Sequence, residues 1–155
     1  MKPWPTLGLL LLLVGCRGEP PSPPAAAQVP APAETRVGDV IVRASTLPTM
    51  QLNEAMARSY GVERTEGSVL IVVGLRRESA TGEKAIPGTV NATATDLFGR
   101  AQTITMHEVE SAGYVDHVGV VPVSMPDTLR FRIRAQPQGA ALATLEFHRD
   151  FFPPR

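Results

Sequence analysis

The sequence is poor in cysteine and carries no net charge, and both facts exclude classes of function. Cysteine occurs once in 155 residues, and 15 basic side chains balance 15 acidic ones. A single cysteine excludes an internal disulfide framework and any zinc site built from several cysteines. The absence of excess positive charge argues against a nucleic-acid-binding domain. The length allows for one folded domain.

The motifs of common enzyme classes are also missing. The chain has no G-x-S-x-G elbow, no P-loop and no dinucleotide-binding glycine pattern. Ser, His and Asp residues occur, but in no arrangement that indicates a catalytic triad. We therefore expect a protein that is not an enzyme and that uses no cofactor.

The N-terminus has the pattern of an export signal. Lys2 supplies the positive charge, and the apolar run over residues 7–14 is shorter than the roughly 20 residues that a bilayer core requires. The run ends in LVGC, which resembles a bacterial lipobox. We expect residues 1–15 to be a lipoprotein signal peptide and Cys16 to become the lipidated first residue. The alternative is a secretory signal cut after residues 25–27, although that A-x-A pattern lies well past the apolar run.

Lipidation at Cys16 would hold the protein on a membrane, because two or more acyl chains anchor a protein stably. The next residue, Arg17, is not the Asp that retains enterobacterial lipoproteins in the inner membrane. We therefore expect the outer membrane, with the protein facing the periplasm. Residues 16–35 are rich in Pro and Ala and have almost no large apolar side chain, so they are predicted to be a disordered tether.

Residues 36–155 are predicted to form one all-β domain, a β-sandwich. Alternation of apolar and polar residues recurs with turn signals about every ten residues. Val69 to Val73 is apolar at every position, which predicts a central strand covered on both faces. Seven strands are predicted, near Gly38 to Ala44, Ser68 to Arg76, Ile86 to Thr95, Ala101 to Val109, Tyr114 to Val123, Thr128 to Gln136 and Ala141 to Phe151.

One short helix is predicted between the first two strands. Asn53 is a good N-cap, and Gly61 can take the left-handed conformation that ends a helix. Leu52, Met56 and Tyr60 follow one another at a spacing of four. These three side chains would share a face that covers the core.

The stretch from Leu52 to Arg64 resembles a segment of a family of small exported bacterial proteins, known only as domain of unknown function 4426 (DUF4426). The similarity extends from about residue 36 to the C-terminus. It implies an immunoglobulin-like β-sandwich and no established activity. Further matching positions are Gly38-Asp39, Asn91 through Leu97-Phe98-Gly99, His107-Glu108-Val109, Phe147, Phe151 and Phe152. The chain departs from the family pattern at Arg43-Ala44-Ser45, Ile71 and Asp116-His117.

Two histidines flank a predicted turn and are the candidate metal ligands. In one register His107 faces His117, and the two imidazoles could share a metal. A two-residue loop would shift the register by one and pair His107 with Val118 instead. Only two ligands are visible even in the first register, so we expect no metal. A small metal-binding protein or enzyme that uses both histidines is the alternative function.

Arg130, Arg132 and Arg134 alternate with apolar residues and therefore form a ladder on a solvent face, about 6.7 Å apart. The ladder is a possible interaction surface, for an anion or lipid headgroups. A turn near Gln138-Gly139 would set Arg132 beside Glu146, and cross-strand charge pairs are the competing explanation.

The sequence thus predicts a periplasm-facing lipoprotein whose non-catalytic β-sandwich serves as a binding or accessory module. Its expected partners are the membrane, through the lipid anchor, and another envelope protein. That protein would dock on a sheet face or on an exposed edge strand.

Overall fold

The computed structural model describes residues 30–111 and 113–153. The predicted signal peptide (1–15), Cys16 and the predicted tether up to residue 29 lie outside the described residues. Within the described residues, none of the helices has the length and apolar character needed to cross a membrane.

The described chain folds into two antiparallel sheets packed face to face, which confirms the all-β sandwich. Ten strands form, rather than seven. They are β1 (Ala33–Val37), β2 (Val40–Pro48), β3 (Ser68–Ser79), β4 (Gly82–Ala85), β5 (Gly88–Thr95), β6 (Ala101–Ile104), β7 (His107–Ser111), β8 (Tyr114–Pro122), β9 (Asp127–Pro137) and β10 (Ala143–Phe151). A 3-10 turn (Thr49–Gln51) and the helix α1 (Glu54–Tyr60) connect β2 to β3.

The larger sheet has six strands in the order β1-β2-β3-β8-β7, with β4 also paired to β3. The smaller sheet has four strands in the order β10-β9-β5-β6. Apolar side chains alternate along the strands and meet between the sheets. On β9, Leu129, Phe131 and Ile133 are buried there, and on β3 so are Val69 and Ile71. Burial of each such side chain contributes about 1.5–3 kcal/mol.

The helix α1 forms where the sequence predicts it. The side chain of Asn53 accepts a hydrogen bond from the backbone N–H of Met56 at 2.8 Å, and Gly61 ends the helix at φ 64°. Leu52 is buried and Tyr60 packs against the same cluster, as predicted, whereas Met56 is 40% exposed and Ala57 is buried in its place. The helix packs on the outer face of the larger sheet, over Leu70. Strand β3 is therefore covered on both faces, as its unbroken apolar run predicts.

The chain changes sheets after β4 and again after β6, and the second change divides one of the predicted strands. Predicted strand 86–95 is preceded by β4 in the larger sheet, and β5 starts in the smaller sheet after Pro87, which has no backbone N–H to donate to a ladder. Predicted strand 101–109 becomes β6 in the smaller sheet and β7 in the larger one. Gly119 allows this second crossing, since a Cβ there would lie only 2.6 Å from Cγ2 of Ile104 and 2.8 Å from Sδ of Met106.

The first strand lies partly within the segment that the sequence assigned to the tether. Strand β1 begins at Ala33, three residues before the predicted start of the domain, and pairs with β2 in the register Ala33 to Ala44. Alternate residues of β1 are half-buried, because the strand forms one edge of the larger sheet and lies against β10. Because Glu34 and Arg36 are polar, the sequence pattern did not predict this strand.

Candidate interaction surfaces

The three predicted arginines form a ladder on the outer face of the smaller sheet, as their alternation predicts. Arg130, Arg132 and Arg134 are all exposed, while the residues between them are buried. The register sets Arg132 opposite Glu146, and Nε of Arg132 donates to Oε1 of Glu146 at 2.7 Å. The predicted cross-strand charge pair is therefore confirmed at the middle arginine. We refer to the outer face around these three side chains as the arginine face.

The other two arginines of the arginine face have no acidic residue opposite them. Arg130 pairs in register with His148 on β10, and Arg134 pairs with Thr144. On the other side, Arg134 faces Asn91 of β5. Neither guanidinium makes a hydrogen bond or an ion pair within the described part of the chain. The nine other arginines described there all make at least one such contact.

The two candidate histidines lie on opposite faces of the larger sheet. The hairpin between β7 and β8 turns through two residues, with Ser111 opposite Tyr114. His107 consequently pairs with Val118, and Glu108 pairs with His117. The register that would place the imidazoles side by side is therefore wrong. It assumed one strand over 101–109, whereas the sheet crossing after Ile104 takes Met106 out of the ladder.

Each histidine makes its own local contacts. Nε2 of His107 lies 3.3 Å from the carbonyl oxygen of Tyr60, on the side of the helix α1. The ring of His117 is buried between the sheets, where Nε2 lies 3.0 Å from the carbonyl oxygen of Gly88 and 3.4 Å from Oε1 of Glu108. Nδ1 of His117 is buried without a hydrogen-bond partner. Within residues 30–111 and 113–153, no group of three or more His, Cys, Asp and Glu could hold a metal ion.

Two of the positions at which the chain departs from the DUF4426 pattern carry ion pairs on the outer face of the larger sheet. Arg43 donates to Glu34 and to Glu83 at 3.1–3.2 Å. The hydrogen bond from Arg43 lowers the pKa of the Glu83 carboxyl. On the neighbouring strands, Asp116 forms a nearly buried ion pair with Arg76. These contacts link β2 to β1 and β4, and β3 to β8, across the outer face of the larger sheet.

A further surface, which the sequence did not predict, lies at one end of the sandwich. Strands β2, β5, β8 and β10 end there, and β3, β6 and β9 begin there. Phe98 is 84% exposed, and Leu97 and Phe152 are each 70% exposed. These are the three most exposed large apolar side chains of the described residues, and Met50 at the same end is 44% exposed. We refer to the surface formed by Met50, Leu97, Phe98 and Phe152 as the apolar end.

The turn that carries Leu97 and Phe98 is held by Asp96. Its Oδ1 accepts from the backbone N–H groups of Phe98 and Arg100, each at 2.9 Å, and its Oδ2 accepts from Nε of Arg100 at 2.6 Å. Burial raises the pKa of Asp96, but the backbone and guanidinium hydrogen bonds from Arg100 outweigh burial and lower it below its ordinary value. The charged carboxylate therefore fixes the turn, and the two apolar side chains project from it into solvent.

The apolar end also contains a cavity of about 210 Å³. Its wall includes Met50, Met125 and Phe152, together with Pro48 at the end of β2 and Gly67 just before β3. The sequence signal for this surface is the pair Leu97-Phe98 inside a turn, where polar residues are usual.

These features define a small all-β sandwich protein whose distinguishing surfaces are an arginine face and an apolar end. A family model described as domain of unknown function (DUF4426) matches residues 34–154. The chain belongs to this family, as the resemblance predicted. No curated protein is significantly similar to it in sequence.

Solved structures share the fold. A DUF4426 family protein from Pseudomonas aeruginosa is similar with a TM-score of 0.69 and 23% identity, over 81% of this chain and 98% of that one. A copper-bound variant of FetP from uropathogenic Escherichia coli is similar with a TM-score of 0.56 and 12% identity, over 76% of this chain and 95% of that one. A second FetP structure, of protein expressed in the periplasm of Escherichia coli, gives a TM-score of 0.55 and 12% identity, over 78% and 95% of the two chains.

Proposed function

We propose that this chain is a lipid-anchored, non-catalytic binding module that faces the periplasm and binds an acidic surface of another envelope protein through its arginine face. The observation that supports this proposal most directly is the pair Arg130 and Arg134. Both guanidinium groups are exposed on a flat sheet and make no ion pair within the described residues. An acidic partner surface would supply the carboxylates that the sheet itself does not.

The charge of the arginine face supports an acidic partner over a neutral one. The face carries three arginines against two carboxylates, those of Glu146 and Asp150, and so keeps an excess of positive charge. Complementary charge across an interface raises the association rate and selects the partner. The expected complex is therefore sensitive to salt, because the charges that attract it are exposed.

Photo-cross-linking in living cells tests the arginine face. A photoreactive residue at Asn91, which is exposed beside Arg134, should form one discrete adduct with an envelope protein. The double variant Arg130→Glu and Arg134→Glu should reduce that adduct about tenfold, because it reverses the charge of the face.

The matched control reverses two exposed arginines near the helix α1, Arg58→Glu and Arg64→Glu, and should leave the adduct intact. An adduct that survives reversal at 130 and 134, or that both double variants abolish equally, contradicts the proposal. Thermal unfolding of both proteins verifies that they remain folded, since exposed substitutions change stability by only about 0.5 kcal/mol.

The lipid anchor rests on Cys16, which ends the lipobox-like LVGC and is the one cysteine of the sequence. The variant Cys16→Ser should shift the protein from the membrane fraction to the soluble periplasmic fraction, or leave it as an unprocessed precursor. Fractionation and mass spectrometry of the mature N-terminus measure this. A Ser22→Ala variant should fractionate as the parent does, and unchanged membrane association of Cys16→Ser would refute lipidation.

A metal function that depends on both His107 and His117 is not part of the proposal. The FetP structures support the fold only, and the copper of one of them is bound to that protein. In this chain the two imidazoles lie on opposite faces of the larger sheet.

A further inference from the structure

We propose that the apolar end docks on the surface of the lipid bilayer, with Leu97, Phe98 and Phe152 inserted among the acyl chains. This inference deepens the proposed function and rests on the proposed lipid anchor at Cys16. Large apolar side chains scattered singly on a surface need no explanation, but the three most exposed ones of the described chain lie at the same end.

The exposure of these side chains is built into the fold. Asp96 holds the turn so that Phe98 projects outward, and the guanidinium of Arg100 lies 5.4 Å from the centre of the Phe98 ring. Phe152 follows β10 directly, at the opposite edge of the same sheet. The two aromatic rings therefore stand on separate supports at one end of the sandwich, which suits insertion into a flat surface.

The path of the chain points the same end towards the membrane. Strand β1 runs away from the apolar end, so the residues before Ala33 lie on the side of β1 nearer to Pro48. Nη2 of Arg149 donates to the carbonyl oxygen of Ala31 at 2.7 Å. This contact holds the segment before β1 beside the C-terminal end of β10. Cys16 lies fifteen residues before Ala31 in the sequence. Fifteen residues reach at most about 50–54 Å when fully extended, so an anchored Cys16 keeps Ala31 within that distance of the membrane.

With the chain anchored through Cys16, even a weak contact between the apolar end and the bilayer is enough to hold the domain on the membrane. The anchor keeps the domain at a high effective concentration next to the bilayer, so that a few inserted side chains can hold it there. Charges of both signs border this end: Glu66 lies at one cavity, Asp96, Arg100 and Asp127 lie at the other, and Arg64 donates to the carbonyl oxygen of Met50. The contact is therefore expected to be apolar rather than electrostatic. Neither an anionic headgroup nor an acidic protein surface gains a net attraction from these mixed charges. A zwitterionic bilayer is therefore the surface that fits.

Tryptophan fluorescence can measure the insertion directly. Trp4, the only tryptophan of the sequence, lies in the proposed signal peptide, so the lipidated protein that begins at Cys16 has none and Phe98→Trp is its single reporter. The lipidated protein is reconstituted into phosphatidylcholine vesicles with or without bromine on the acyl chains. Bromine should reduce the emission of the Phe98→Trp protein about twofold, since an inserted ring lies about 5–10 Å deep, at the level of the acyl chains. The same result is expected at 0.1 M and at 0.5 M salt, about the range over which exposed charges become screened.

The matched control is Leu142→Trp, which is also an exposed apolar position but lies at the opposite end, after β9. Bromine should leave its emission unchanged. Phe152→Trp provides a second reporter at the apolar end, where it should respond as Phe98→Trp does. Equal quenching at 98 and 142, or no quenching at 98 and 152, overturns the proposal.

Two other results identify a different occupant and also overturn it. An emission shift that needs a higher protein concentration and is insensitive to bromine would indicate a second copy. A shift that needs an added envelope protein would indicate a protein partner. Failure of the anchor is measured separately, because protein without lipid on Cys16 does not float with the vesicles to the extent that the lipidated protein does.

Discussion

Replacing Phe131 by Ala is expected to destabilise the domain by about 3–5 kcal/mol, which is a large part of the stability of a domain of this size. Phe131 is fully buried between the sheets. Its ring stacks on Phe147 with 5.1 Å between centroids, and it forms a T-shaped pair with Phe151 with 6.4 Å between centroids. The change removes these contacts and leaves a cavity that rigid strands on both sides cannot close. Equilibrium unfolding in urea measures the free energy.

Two other variants calibrate that result. Phe131→Leu keeps most of the volume and should cost clearly less than Phe131→Ala. Phe98→Ala removes the same ring from the apolar end, where it is 84% exposed, and should change the free energy of unfolding by no more than about 0.5 kcal/mol. A loss below about 1 kcal/mol for Phe131→Ala would contradict the position of that ring in the core.

Removal of Asp116 is expected to have the second largest effect, about 3 kcal/mol, because it leaves a nearly buried guanidinium without its counter-charge. The side chains of Arg76 and Asp116 are 12% and 16% exposed. Nη1 of Arg76 donates to the carbonyl oxygen of Val115 at 3.1 Å, and its guanidinium lies 4.9 Å from the ring centre of Tyr114. These contacts hold Arg76 in place, so it cannot turn to solvent when Asp116→Ala removes the carboxylate. Thermal or urea unfolding measures the loss.

A double variant separates the charge from the packing. Arg76→Leu with Asp116→Leu removes both charges and should recover most of the stability, since an apolar pair of similar volume replaces a buried ion pair at little cost. The exposed pair Arg132 and Glu146 is the comparison at the surface, where Glu146→Ala should cost less than about 1 kcal/mol. Equal losses for Asp116→Ala and Glu146→Ala would show that burial does not decide the effect.

The two proposed surfaces are compatible in one orientation. The apolar end lies at the ends of the strands, whereas the arginine face lies along the strands of the smaller sheet. If the end meets the bilayer, the strands stand upright on it and the arginine face points sideways. A neighbouring envelope protein could then reach Arg130 and Arg134 without displacing the domain from the membrane.

The local features of the fold could be predicted because short-range physics determines them. Asn53 and Gly61 delimit the helix through their own capping preferences, and the apolar run from Val69 to Val73 requires cover on both faces. The turn near Gln138 sets the register of β9 and β10, and with it the pair Arg132 and Glu146. In each case the decisive residues are close together in the sequence.

The features that were missed depend on distant parts of the chain. The crossing of the chain between sheets after Ile104 needs the missing side chain of Gly119 on another strand, and it separates β6 from β7. That crossing and the two-residue turn after Ser111 together set the register that puts His107 and His117 on opposite faces. Strand β1 was not predicted because its polar residues resemble those of a tether. It forms because its backbone pairs with the edge of β2.

The sequence by itself determined the class of fold, the helix caps and the outward direction of the arginines, since alternation and capping act over a few residues. Tertiary structure alone decided which side chains meet across the sheets and which exposed residues share an end. Phe98 and Phe152 stand 54 positions apart in the chain, and only the antiparallel packing of the strands brings the turn after β5 and the end of β10 to one surface.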